Sequence, residues 1–104
     1  MKLCIFGAGA VGSMIGSELA LGGHDVTLIS RGEHMAAIQA HGLTVIMNGK
    51  ERHTTPLCTD NPLQAGPQDA VIFVVKAHQL KAAALQAAPL FGPETFIVAA
   101  QNGI

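Results

Sequence analysis

Lys2-Leu3-Cys4-Ile5-Phe6-Gly7-Ala8-Gly9-Ala10-Val11-Gly12 is the stretch on which the fold turns. Its first five residues, four of them apolar, read as a buried strand from Lys2 to Phe6. Ala10 to Leu21 then reads as a helix, with Val11, Met14, Ile15 and Leu19 on one face at spacings of three and four, ended by Gly22-Gly23. Between strand and helix stand three glycines in a GxGxxG pattern, weak as a bare spacing but informative between a strand and a helix. Gly7 permits the tight turn, Gly9 lets a pyrophosphate approach the backbone, and Gly12 lets the helix pack closely on a sheet. The helix start offers unpaired N–H groups and a partial positive charge to phosphates. Gly16, one turn later, extends the smooth face.

Outward from this unit, apolar runs and helical patterns alternate. Asp25 to Ile29 reads as a second strand, and Glu33 to His41 as a short helix stopped by Gly42. Leu43 to Met47, Asn48-Gly49 and Glu51 to Thr55 read as a β-hairpin, because Asn-Gly supplies the positive φ angles of a tight turn. Pro56 to Gln68, with three prolines, reads as a connection. Ala70 to Val75 is a continuous apolar run that suits a central parallel strand covered on both faces. His78 to Ala88 reads as a helix halted by Pro89, and Thr95 to Ala100 as a further buried strand. The order β-α-β-α, hairpin, β-α-β predicts a Rossmann-like, doubly wound α/β fold with a mainly parallel sheet and a hairpin insertion. Residues 1–104 form one dinucleotide-binding domain in this reading. With no helix after the last strand, it reads as incomplete, the first part of a longer protein.

Composition narrows the function. The chain has 104 residues, 49% hydrophobic and 12% charged, with a net charge of −1. A typical soluble domain has about 25% charged residues. Disorder and general nucleic-acid binding are poor fits to such a composition. So apolar a domain is expected to bury part of its surface against a second domain or a subunit. No stretch of about 18 apolar residues predicts a membrane span, and Leu3 to Phe6 is too short for a signal peptide core. Cys4 and Cys58 belong to no CxxC pair, Cys4 reads as a small buried hydrophobe, and a reducing, cytoplasmic setting fits. His24, His34, His41, His53 and His78 form no metal-ligand spacing and read as surface or loop residues; no metal and no catalytic nucleophile are assigned.

Cofactor choice turns on the end of the second strand. An NAD-type fold usually places an acid there to hold the ribose 2′-hydroxyl. Here that strand runs into Ser30-Arg31, and Asp25 lies at its wrong end. A guanidinium can pair with a 2′-phosphate and stack on adenine, and Ser30 can donate to the same phosphate, which favours NADP(H). Glu33 could instead reach the ribose. Lys76 follows the Ala70–Val75 run and Asn102 follows the last strand, so both fall on the same carboxyl edge. Lys76 could meet phosphate or ribose oxygens, and Asn102 the nicotinamide ribose.

Together these residues resemble the ketopantoate reductase (2-dehydropantoate 2-reductase) family. The resemblance rests on Lys2 to Gly12 with Ser30-Arg31, on Val74-Val75-Lys76-Ala77-His78-Gln79, and on Gln101-Asn102-Gly103-Ile104. It implies reduction of 2-dehydropantoate to pantoate with NADPH, for pantothenate and coenzyme A synthesis. It assigns the pyrophosphate to Gly7, Ala8, Gly9, Ala10, Val11 and Gly12, the 2′-phosphate to Arg31, cofactor contacts to Lys76 and Gln79, and both nicotinamide ribose and substrate to Asn102. In that family a helical C-terminal domain supplies the general-acid lysine and most substrate contacts. This chain ends before such a domain, so it is expected to bind cofactor without turning over substrate. Three other readings remain: a dehydrogenase for another 2-keto or hydroxy acid, a non-enzymatic dinucleotide sensor, and a ligand-free half-domain.

Overall fold

The computed structural model describes residues 1–7 and 9–99. Five strands form one parallel sheet: β1 (Lys2–Phe6), β2 (Asp25–Ile29), β5 (Leu57–Thr59), β6 (Ala70–Phe73) and β7 (Phe96–Ala99), in the order β5-β2-β1-β6-β7. β3 (Leu43–Met47) and β4 (Lys50–Thr54) pair antiparallel as a separate hairpin. Asn48 and Gly49 turn it with φ of 53° and 75°, the positive angles an Asn-Gly turn supplies. The helices are α1 (Ala10–Leu21), α2 (Gly32–His41), α3 (Pro62–Ala65) and α4 (Leu80–Gln86), with 3₁₀ turns at Ala77–Gln79 and Ala88–Leu90.

Alternation along the strands divides the core between the two faces of the sheet. Cys4, Phe6, Val71 and Phe73 pack on one face with Ala83 of α4, with Ala87 just after it, and with Leu90. The Phe6 and Phe73 ring centroids lie 5.5 Å apart. Ile5, Val26 and Leu28 pack on the other face with Ile38 of α2, Leu43 of the hairpin, and Ile15 and Leu19 of α1. Full burial of such a side chain contributes about 1.5–3 kcal/mol. The predicted doubly wound sheet with its hairpin is therefore present.

Several elements differ from the sequence expectation. The connection from Pro56 to Gln68 contains β5, an edge strand of the main sheet, and α3, whose start is capped by Asn61 Oδ1 accepting from the Leu63 N–H at 3.1 Å. β6 ends at Phe73, since Val74 and Val75 leave the ladder. The helix expected over His78 to Ala88 is a 3₁₀ turn followed by α4, and Pro89 sits inside the next 3₁₀ turn, where its missing N–H costs nothing.

α1 differs in its orientation. Gly12, Ser13, Gly16 and Ser17 are its buried residues, whereas Val11 and Met14 stay about half exposed. A β-carbon on Gly16 would stand 2.8 Å from Leu28 Cδ2, so the helix lies close to the sheet on its smallest residues. Its apolar face turns sideways and forms an apolar recess with Met47 of the hairpin.

Candidate functional site

Strand register places the candidate residues. Phe6 pairs with Ile29 on one side and Phe73 on the other, and Ile29 pairs with Thr59. The residues that follow, Gly7, Ser30, Asp60 and Val74, therefore leave the sheet at one level on its carboxyl edge. Backbone hydrogen bonds hold this rim: Gly7 N–H to Ile29 O at 3.1 Å, Ser30 N–H to Thr59 O at 3.1 Å, and Val74 N–H to Phe6 O at 2.8 Å. β2 lies on one side of β1 and β6 on the other, so the chain reverses its winding at the β1 end, where open α/β sheets form their ligand crevice.

A cavity of about 590 Å³ opens there. Its floor includes Phe6 and Ile29, Gly7 and Gly9 form one wall, and Ser30, Arg31 and His34 form another. Asp60, Val75 and Gln86 complete the lining.

The three glycines do different things. Gly7 has φ of +99° and packs against Val74 and Val75. A β-carbon on Gly12 would stand 2.7 Å from the Gly7 carbonyl oxygen, which keeps α1 tight on the loop. Gly9 has φ of −82°, a conformation open to any residue, and nothing lies within 4 Å of where its β-carbon would be. The folded chain itself does not require glycine there. The open space faces the cavity at the start of α1, whose first turn holds no acid and whose Gly9 cap brings no side chain to the N–H groups. Such a helix start suits an anionic phosphate. On this geometry the residues fit a dinucleotide.

At the other wall Arg31 is exposed and occupies the position before α2. Ser30 Oγ lies 3.3 Å from His34 Nδ1, one helical turn on. Arg31 and Ser30 thus share the cavity with the glycine loop, as expected. Ala10 and Val11 open α1 but are not in the cavity lining. Lys76 and Gln79 also stand outside the lining, on the 3₁₀ turn after β6. There the Gln79 side-chain oxygen accepts the Lys76 N–H at 3.4 Å, a capping contact. Ala8 and Asn102 lie outside the described residues.

Three polar residues of the cavity lining, Asp60, His34 and Gln86, were absent from the sequence-based set. Asp60 depended on β5, hidden between Pro56 and Pro62. His34 was read as a surface or loop residue and is exposed, but its place in the cavity was not read; its four-residue spacing from Ser30 was the available signal. Gln86 arrives from the opposite layer, and nothing local to its sequence marks it.

Comparison with known proteins agrees with this geometry. The family model described as "Ketopantoate reductase PanE/ApbA" matches residues 3–104. The chain belongs to the ketopantoate reductase family. Within the family, it is 42% identical to the 2-dehydropantoate 2-reductase of Mesorhizobium japonicum, covering 100% of this chain and 32% of that protein. The PanE/ApbA family ketopantoate reductase of Ralstonia eutropha JMP134 superposes with a TM-score of 0.91 at 36% identity, over 99% of this chain and 35% of that one. D-mandelate dehydrogenase, solved with NADH and anilino(oxo)acetate, superposes with a TM-score of 0.89 at 34% identity, over 100% of this chain and 34% of that one. The chain thus spans about a third of the length of these family relatives.

Proposed function

We propose that this chain is the cofactor-binding part of an NADPH-dependent reductase that converts 2-dehydropantoate to pantoate. The observation that carries the reading is the cavity itself. Gly9 leaves open space before an uncapped helix start, and Ser30 and Arg31 stand at the end of β2 where an NAD-type site would carry an acid. In this reading Gly7 to Gly12 cradle the pyrophosphate, and Arg31 and Ser30 hold the 2′-phosphate. Lys76 and Gln79 approach from the β6 side, and Asn102 meets the nicotinamide ribose and the substrate. Bound NADPH would supply the hydride. The role of these residues is to bind and orient it.

The remaining features fit the same proposal. β7 is an edge strand with Phe96 67% and Ile97 56% exposed, apolar surface suited to cover by a further domain or a subunit. Cys4 and Cys58 are free and buried, which suits a reducing cytoplasm. Among the described residues no helix is long and apolar enough to cross a membrane.

A second reading has one observation in its favour. Asp60 lines the same cavity as Arg31 and could accept ribose hydroxyls, which suits NADH. The dehydrogenase solved with NADH is named for mandelate, a 2-hydroxy acid, so this reading carries another 2-keto or hydroxy acid with it.

The test is a chimera. These 104 residues replace the matching third of the Mesorhizobium japonicum relative. The chimera should oxidise NADPH when offered 2-dehydropantoate, and the chain alone should not. Oxidation only with a different 2-keto acid, or only of NADH, would support the second reading.

A further inference from the structure

We infer that His34 is a specificity-determining residue of this cavity: paired with Ser30, it recognises a phosphomonoester on the adenosine ribose and takes up a proton when that group binds. The inference rests on the dinucleotide reading and adds to it a residue and a proton. Ser30 Oγ lies 3.3 Å from His34 Nδ1, and both residues line the cavity beside Arg31. The pair has two neutral forms. If the Ser30 hydroxyl donates to Nδ1, the imidazole proton sits on Nε2. If Nδ1–H donates to Ser30, the hydroxyl proton is released for another acceptor. Each neutral form leaves one donor to spare.

Protonation changes that count. An imidazolium donates from Nδ1 to Ser30 Oγ, which frees the hydroxyl proton, and also carries a donor on Nε2. Two donors and a positive charge then stand next to Arg31, a set that suits a dianionic phosphomonoester and has no use for a ribose hydroxyl. Charged groups stand near His34 on its own helix and at the end of β5. Arg31 caps the start of α2, Glu33 lies in its first turn, and Asp60 follows β5. The glycine loop and α4 contribute Gly7, Gly9 and Gln86, which do not titrate. A bound phosphate tips the balance toward the charged form.

The test is calorimetric titration of the wild-type chain and His34→Gln with NADPH and NADH, near pH 7, in two buffers of different ionisation enthalpy. His34 is exposed, so the substitution spares the core; matching circular dichroism spectra confirm it. The expected result has two parts. His34→Gln weakens NADPH binding about fivefold to tenfold and leaves NADH unchanged, and the wild type takes up more protons than His34→Gln on binding NADPH. The comparison between variants cancels the proton chemistry of the phosphate itself. Equal NADPH affinity and equal proton uptake in the two proteins overturn the inference. Arg31→Ala separates this failure from failure of the underlying reading. If Arg31→Ala abolishes NADPH preference while His34→Gln leaves NADPH affinity and proton uptake unchanged, only the His34 inference falls. If the wild type binds neither cofactor, or Arg31→Ala changes nothing, both fall.

Discussion

Gly7 and Val74 meet so closely at the carboxyl edge of the sheet that a β-carbon on Gly7 would stand 2.5 Å from the Val74 carbonyl oxygen. That contact joins the loop after β1 to the loop after β6, the two walls of the switch point. Gly7 also holds φ of +99°, which other residues rarely adopt. Gly7→Ala therefore incurs both strain and a backbone clash, and should destabilise the fold by ~2–4 kcal/mol in a denaturant melt.

Gly9→Ala makes the opposite prediction. Its φ of −82° is ordinary and its β-carbon position is open. Stability should change by less than about 0.5 kcal/mol. Dinucleotide affinity should fall at least about tenfold, because the methyl group would occupy the space proposed for the pyrophosphate. A stability loss like that of Gly7→Ala would mean that Gly9 serves the fold and not a ligand.

These two glycines show how far the sequence could be read. The pattern Gly7-x-Gly9-x-x-Gly12 between a strand and a helix located the cavity, and the β-α alternation gave the sheet. Their different roles were not legible, since they depend on Val74 and on empty space. The face of α1 was misleading for a related reason. Of the residues that carry the apolar periodicity, Ile15 and Leu19 do pack on the core, but Val11 and Met14 stay half exposed, because close approach to the sheet favours Gly12, Ser13, Gly16 and Ser17. β5 was hidden because Leu57–Thr59 is too short to show a period and is flanked by prolines, and with it Asp60 was missed. Ser30 and Arg31 were legible because they follow a clear five-residue strand.

Cys4 links burial to pH. It lies at the centre of β1 with no exposed surface, and burial pushes its thiol from 9.0 up to about 12. Above pH 9 the unfolded thiol loses its proton, while the folded one keeps it until about 12. The folded state then binds more protons than the unfolded state, so stability falls as pH rises through that window. Denaturant melts from pH 8.5 to 10.5 should show this decline, and Cys4→Ala should reduce its slope. At neutral pH Cys4 should resist thiol reagents in the native chain and react after unfolding. Rapid native labelling would mean that β1 opens locally.

β7 should govern self-association of this chain. Its Phe96, Ile97 and Val98 are exposed on an edge strand, a surface prone to pair with another chain. Ile97→Lys should lower the scattering mass of concentrated solutions and shift stability by no more than about 0.5 kcal/mol. If the wild type is already monomeric at such concentrations, β7 is not an associating edge.

Arg31 carries the central claim, and calorimetric titration of the chain with NADPH and with NADH tests it most directly. The account predicts that NADPH binds at least about tenfold tighter, a difference of about 1.4 kcal/mol, and that Arg31→Ala abolishes the preference. Equal affinities for the two cofactors, or a preference that survives Arg31→Ala, would contradict it.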